Sequence, residues 1–203
     1  TGGDTVPTVV VFHGLTCDGE DTPGVSTVKK LAANGMRVIS YERRAHSKDI
    51  PLQRLAGDKP VYFNVYGHYE DTVEVLQHIK RTVGRSASVF GLGMSSGCTT
   101  LLNYLCRSKK DTLLDGAVML SGAINIIDAQ DDVHGFYGYI FLNKCQSFFL
   151  GSHTQVLREA NPEAYRKCME AKDVTGFLEC TYPFSGFDSF EEYLAATSPV
   201  HGY

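Results

Sequence analysis

The chain has 203 residues, 43% of them hydrophobic and 21% charged, the balance of an ordinary globular protein with enough apolar material for one sizeable core. Net charge is −4, from 19 basic and 23 acidic residues, so no basic surplus points to nucleic acid and no acidic run to a solvating tail. The apolar runs fall well short of the roughly 18 residues that a membrane helix needs.

Taken in chain order, the first 121 residues alternate short β-branched runs with amphipathic stretches. Thr8 to Phe12 reads as a buried strand. Pro23 to Asn34 reads as a helix with Val25, Val28, Leu31 and Ala32 on one face and Gly35 at the C′ position. Met36 to Tyr41 is a second strand, and Asp71 to Val83 a helix with Val75, Leu76 and Ile79 inward. A third strand begins at Ser88-Val89-Phe90. Ser96 to Arg107 is a helix, and Ala117 to Leu120 lies in a fourth strand. Strands separated by helices predict parallel pairing in a doubly wound sheet covered on both faces. The unbroken apolar runs agree, because strands buried on both faces need not alternate.

After Gly122 the pattern predicts helices only. Gly135 to Leu150 carries Phe136, Tyr137, Tyr139, Ile140, Phe141, Leu142, Phe148, Phe149 and Leu150. That surplus is expected to be core, with a share lining an acyl-binding pocket as the alternative. Asn161-Pro162 reads as a cap followed by proline at the first helical position, and Asp188 with Glu191 as a capping box. The division expected is a core over 1–121 and a helical cap region over 122–203.

The sharpest chemical signal is Gly93-Met94-Ser95-Ser96-Gly97, entered from a strand and left by a helix. A serine lifted on a sharp strand-to-helix turn needs small residues two before and two after, so that strand and helix can approach each other. Ser95 is therefore the candidate nucleophile, with Gly93 and Gly97 as the elbow glycines. The helix then starts at Ser96, so its free N–H groups point where an oxyanion would develop. An inert glycine-rich turn is the bland alternative. A dinucleotide loop is the other, but after Gly91-Leu92-Gly93 the third glycine position holds Ser96, and two βα units precede it. Phe12-His13-Gly14-Leu15-Thr16 closes the first strand, and its Leu15 N–H is the expected partner of the Ser96 N–H in an oxyanion hole. His13 is expected to brace this loop.

These stretches resemble the α/β-hydrolase-domain-containing lipases and esterases grouped with the bacterial YheT-type hydrolases and the plant embryogenesis-associated proteins. The resemblance is carried by Val11 to Thr16, by Gly67-His68-Tyr69-Glu70-Asp71 with its helix through Ile79, by Gly93 to Leu105, and by Phe187 to Tyr193 through Ser198-Pro199. It implies an α/β-hydrolase fold and a serine hydrolase of lipid-type esters such as acylglycerols or phospholipids, with neither metal nor organic cofactor. The chain departs from the pattern after Tyr41, where Glu42-Arg43-Arg44-Ala45-His46 replaces Arg-Gly-x-Gly-Gly, and the loop at the pocket mouth is expected to differ.

A serine hydroxyl needs a histidine base oriented by an acid. The resemblance places both beyond Ser198-Pro199, hence outside this chain, which runs from Thr1 to Tyr203. Within it, the histidines after Ser95 are His134, His153 and His201; His134 with Asp128 and His201 with Asp188 are poorly disposed, and each of these is expected to be a solvated loop side chain. Two readings follow: part of a serine carboxylic-ester hydrolase, or a non-catalytic or truncated relative that binds lipid or a partner protein. Any targeting segment or membrane anchor, and any membrane contact, is expected outside these residues, giving a cytoplasmic or membrane-associated protein. The six cysteines form no CxxC pair or zinc-type cluster. An even count admits disulfides, but a chain of this size does not need them, so reduced thiols are expected.

Overall fold

The computed structural model describes residues 5–20, 22–47, 52, 63–84, 86–133 and 135–199. His134 and His201, the bases of the two internal triads considered above, lie outside the described residues. Four strands, β1 (Thr8–Phe12), β2 (Arg37–Tyr41), β3 (Val89–Met94) and β4 (Gly116–Leu120), form one all-parallel sheet in the order β2-β1-β3-β4. Among the described residues three α-helices connect them: α1 (Thr22–Ala33), α2 (Tyr69–Val83) and α3 (Ser96–Ser108). The fold is α/β, as the alternation of patterns predicts.

Handedness fixes which face each helix covers. The chain steps outward from β1 to β2, then back past β1 to β3 and on to β4. Right-handed crossovers therefore put α1 on one face and α2 with α3 on the other. The packing agrees. Val28 and Leu31 of α1 lie against Val9, Val11 and Leu92. Leu76, Ile79 and Val83 of α2, with Leu101 and Tyr104 of α3, lie against Val10, Phe12 and Val89. Side chains alternate faces along a strand, so Val9 and Val11 serve one layer and Val10 and Phe12 the other.

The local endings follow sequence chemistry. Gly35 N–H donates to the Ala32 carbonyl at 3.0 Å and Met36 N–H to Leu31 at 3.3 Å, the paired bonds of a Schellman stop, with Gly35 at φ +80°. Two expectations on α1 and α2 shift slightly: Ala32 is exposed, and the buried stripe of α2 is Thr72, Leu76, Ile79 and Val83, with Val75 only half-buried.

Beyond β4 the described residues form helices and no strand: α4 (Ile126–Asp131), α5 (Gly135–Cys145) with a π-helical turn over Gln146–Gly151, α6 (Thr154–Ala160), α7 (Pro162–Glu170), α8 (Val174–Thr181) and α9 (Phe190–Thr197). Asn161 Oδ1 accepts from Ala164 N–H at 3.0 Å and Pro162 opens α7, as expected. The capping box of α9 sits one residue later than its sequence reading. Ser189 Oγ accepts from Glu192 N–H and Glu192 Oε2 accepts from Asp188 N–H, both at 3.1 Å. Asp188 thus precedes the cap, because the serine adopts the extended cap backbone and the glutamate three positions on closes back.

The aromatic run of α5 divides. Leu142, Cys145, Phe149 and Leu150 are buried in the helical core, whereas Phe136, Tyr137, Tyr139 and Ile140 are exposed. That helical core also takes in Leu15, Ala45, Phe63, Val65 and Tyr66, so it packs onto the C-terminal ends of the strands. All six cysteines are free thiols. No helix among the described residues is long and apolar enough to cross a membrane.

Candidate functional site

Strain gathers at one edge of the sheet. Each strand runs into a non-glycine residue in the left-handed region: Thr16 after β1 (φ +57°), Ala45 after β2 (+63°), Ser95 after β3 (+51°) and Ser121 after β4 (+55°). Such conformations cost of order 1–3 kcal/mol each and persist where surrounding structure holds them. The C-terminal edge of a parallel sheet is also where ligands bind, at the point where strand order reverses. Here that point lies between β1 and β3, which carry the Gly14 loop and Ser95.

Ser95 has φ +51° and ψ −123°, stands between the last residue of β3 and the first of α3, and is exposed. Its N–H donates to the Leu120 carbonyl at 2.9 Å and its carbonyl accepts from Cys98 N–H at 2.9 Å, so the turn is pinned to β4 on one side and to α3 on the other. The two elbow glycines are required by contact. A Cβ on Gly93 would lie 2.8 Å from the Cα of Cys98, and one on Gly97 would overlap the carbonyl of Phe12. Small residues here let α3 cross β1 and β3 at backbone distance.

The loop after β1 comes to the same place. A Cβ on Gly14 would touch that of Ser95 at 3.4 Å. Cys17 N–H donates to the Gly14 carbonyl at 3.4 Å, closing a turn whose third residue is Thr16. The backbone N–H groups of Leu15 and Ser96 have no hydrogen-bond partner among the described residues. His13 turns away from Ser95: its Nε2 pairs with Ser40 Oγ, joining the ends of β1 and β2, which is a bracing role.

Ser95 and Ser96 open on a cavity of about 170 Å³ lined also by Leu15, Tyr66, Ile126, Val133 and Phe141. The helical region thus supplies its apolar wall. No His, Asp or Glu is among the described residues lining it. A larger cavity of about 450 Å³, lined by Arg44, His68, Asp71, Arg107 and Phe187, does not include Ser95. Of the internal acid and base candidates, His153 is not the solvated loop side chain expected: it caps α6 and is buried, with a hydrogen bond to the Ala45 backbone, a structural position. Asp128 is taken up by Asn125 at 2.7 Å. No cluster of potential metal ligands occurs among the described residues.

The sequence reading missed what lies beneath the loop. Arg43 is 4% exposed. Its Nη1 donates to Thr100 Oγ1 at 2.8 Å; its Nη2 lies 3.0 Å from the Gly14 carbonyl, 3.4 Å from Ser96 Oγ and 2.9 Å from His46 Nε2. Thr100 Oγ1 donates onward to the Tyr66 carbonyl at 2.6 Å. His46 Nδ1 faces the Arg44 carbonyl at 3.2 Å, which assigns the proton to Nδ1 and leaves Nε2 to accept from Arg43. Burial, and then the neighbouring guanidinium, push the His46 pKa well down, so the ring is neutral. Burial lowers that of Arg43 to about 10, which leaves it charged at neutral pH. The only hint in the sequence was an arginine pair after a strand. Arg44, by contrast, turns outward to an ion pair with Asp71.

No protein-family model matches this chain. Among curated proteins, the embryogenesis-associated protein EMB8 of Picea glauca is 23% identical over 202 residues, covering 95% of this chain. The chain spans 42% of the length of that relative. Among solved structures, a carboxylesterase of the thaumarchaeon Nitrososphaera gargenis superposes with a TM-score of 0.45 at 16% identity, covering 97% of this chain and 64% of that one.

Proposed function

We propose that this chain carries the nucleophile and the oxyanion hole of a serine carboxylic-ester hydrolase. The observation that carries the reading is Ser95, held exposed at positive φ on a strand–helix elbow, on a cavity also lined by Leu15 and Ser96, whose backbone N–H groups have no partner among the described residues. In this reading Ser95 Oγ attacks the ester carbonyl carbon and gives its proton to a histidine. The tetrahedral oxygen takes its hydrogen bonds from Leu15 and Ser96 N–H. Collapse breaks the ester C–O bond, the alcohol leaves with that proton, and water then hydrolyses the acyl-Ser95. The acid and the histidine belong to residues other than those described. Residues 1–121 act as the core and 122–203 as a cap whose Ile126, Val133 and Phe141 receive the acyl chain. Lipid-type esters are the proposed substrates, on the resemblance of the sequence motifs and the apolar lining; EMB8, the curated relative, supports the same grouping.

The test is fluorophosphonate labelling and p-nitrophenyl ester turnover with Ser95→Ala alongside. Loss of both in the variant supports the reading; turnover that survives removes Ser95 from the mechanism. A second reading, a lipid- or partner-binding protein without catalysis, draws on the lack of any acid or histidine along the described cavity wall. It gains if the protein with its natural termini binds a fatty-acid probe at this cavity and never labels.

A further inference from the structure

A buried guanidinium with no carboxylate beside it is an expensive thing to keep, since desolvation penalises the charge and nothing permanent offsets it. None of the ion pairs among the described residues includes Arg43. Its partners among the described residues are all neutral: a carbonyl, two hydroxyls and a histidine nitrogen. They are also not random. Gly14 belongs to the loop after β1 and Ser96 and Thr100 to successive turns of α3, the two elements that carry the Leu15 and Ser96 N–H groups without a partner among the described residues.

The peptide plane gives the contact with Gly14 its meaning. In a trans peptide the carbonyl of one residue and the N–H of the next point in opposite directions. Anchoring the Gly14 carbonyl on Arg43 Nη2 therefore fixes the Leu15 N–H away from Arg43. The contact to Thr100 ties α3 directly to the same guanidinium, and the Thr100 hydroxyl passes the link on to the Tyr66 carbonyl. The planar fork spans several acceptors at fixed angles, which a lysine ammonium on its flexible stem does not.

Resting on the hydrolase reading above, we propose that Arg43 is a positioning residue for the oxyanion hole: it locks the Gly14–Leu15 peptide and the start of α3 in donating orientation, and its charge, which no carboxylate among the described residues pairs with, complements the negative charge that forms on the substrate oxygen. His46, neutral and accepting through Nε2, orients the fork without cancelling that charge.

The experiment compares Arg43→Met, Arg43→Lys, Thr100→Val and Ser95→Ala in the protein with its natural termini. The readouts are p-nitrophenyl butyrate kcat and KM, the affinity of phenylboronic acid, which forms a tetrahedral anionic adduct on the serine, and the unfolding midpoint. Losing an oxyanion-hole donor costs about 10²–10³ in kcat, so Arg43→Met is expected to fall by that order with KM changed less than about threefold. Phenylboronate affinity should weaken alongside kcat, and Arg43→Lys should restore about a tenth of the loss or less, charge without the fork. Should the Arg43 variants fail to fold, Thr100→Val decides: a drop of about three- to tenfold in kcat at an unchanged unfolding midpoint supports the proposal. Unchanged kcat and phenylboronate affinity in the folded variants, while Ser95→Ala is dead, overturns the role of Arg43 alone. Wild-type turnover by Ser95→Ala overturns the hydrolase reading, and the proposal falls with it.

Discussion

Gly97 packs its Cα directly against the carbonyl of Phe12, so that even a methyl group there would overlap the oxygen. This single contact sets how closely α3 crosses β1, and hence how far Ser95 stands from the Leu15 loop. The obstacle is backbone, which has no rotamer to escape into. Gly97→Ala is therefore expected to cost more than the about 1–3 kcal/mol of ordinary overpacking. Urea unfolding should show the loss, and a folded variant of near-native stability would contradict the geometry.

Ser95 holds a conformation that glycine adopts at no steric cost. Ser95→Gly is expected to raise stability by about 1 kcal/mol, the lower part of the range for such strain, while abolishing fluorophosphonate labelling. Denaturant midpoints of wild type, Ser95→Gly and Ser95→Ala separate strain from lost hydroxyl contacts, because the alanine variant keeps the strain. A glycine variant less stable than the alanine one would show that the elbow is relaxed.

Three histidines, His46, His68 and His153, have pKa values lowered first by burial. A lowered folded-state value means that the unfolded chain takes up the proton more readily. Stability is then fully present above the unfolded histidine value near 6.5 and declines as pH falls below it. Each neutral buried ring contributes a slope of up to about 1.4 kcal/mol per pH unit below that point. Unfolding free energies from pH 7.5 down to 5 should bend downward near 6.5, and His46→Gln should flatten the bend. A flat profile to pH 5 would mean that the rings titrate normally in the fold.

At the open edge of the sheet, β4 leaves Val118 at 56% exposure, with Met119 and Leu120 also exposed. An uncovered apolar edge strand is a template for pairing with another chain. These residues expressed by themselves are expected to self-associate at micromolar concentration, and Val118→Lys to shift sedimentation toward monomer. Equal behaviour of the two proteins would show that the edge is not the sticky surface.

How far the sequence reached depends on the range of the interactions concerned. The strands, α1 to α3 and their ends were legible because β-branched runs, helical periodicity and caps such as Leu31 to Met36 are settled within a few residues of the chain. The elbow was legible for the same reason: Gly93, Ser95 and Gly97 encode a turn whose steric needs are local. The shift of the α9 cap from Asp188 to Ser189 shows the limit of that reading, since both residues can cap and only the backbone path chooses.

Partners distant along the chain were decided by the tertiary structure. Nothing local separates Phe149, fully buried, from Phe136 or Tyr137, exposed on the same run. What divides them is which side of α5 and of the turn after it meets the core formed by Leu15, Phe63 and Phe177. Arg43 and Arg44 are adjacent and chemically identical. One reaches Thr100, 57 positions away, and is buried under the Gly14 loop; the other reaches Asp71 at the surface. The sequence by itself determined where the strained Ser95 elbow and the Gly14 loop lie, because a turn is a local object. Which charged group stands beneath them depends on folding β2 beside β1 and α3 across both, and only packed elements bring residues that far apart into hydrogen-bond range.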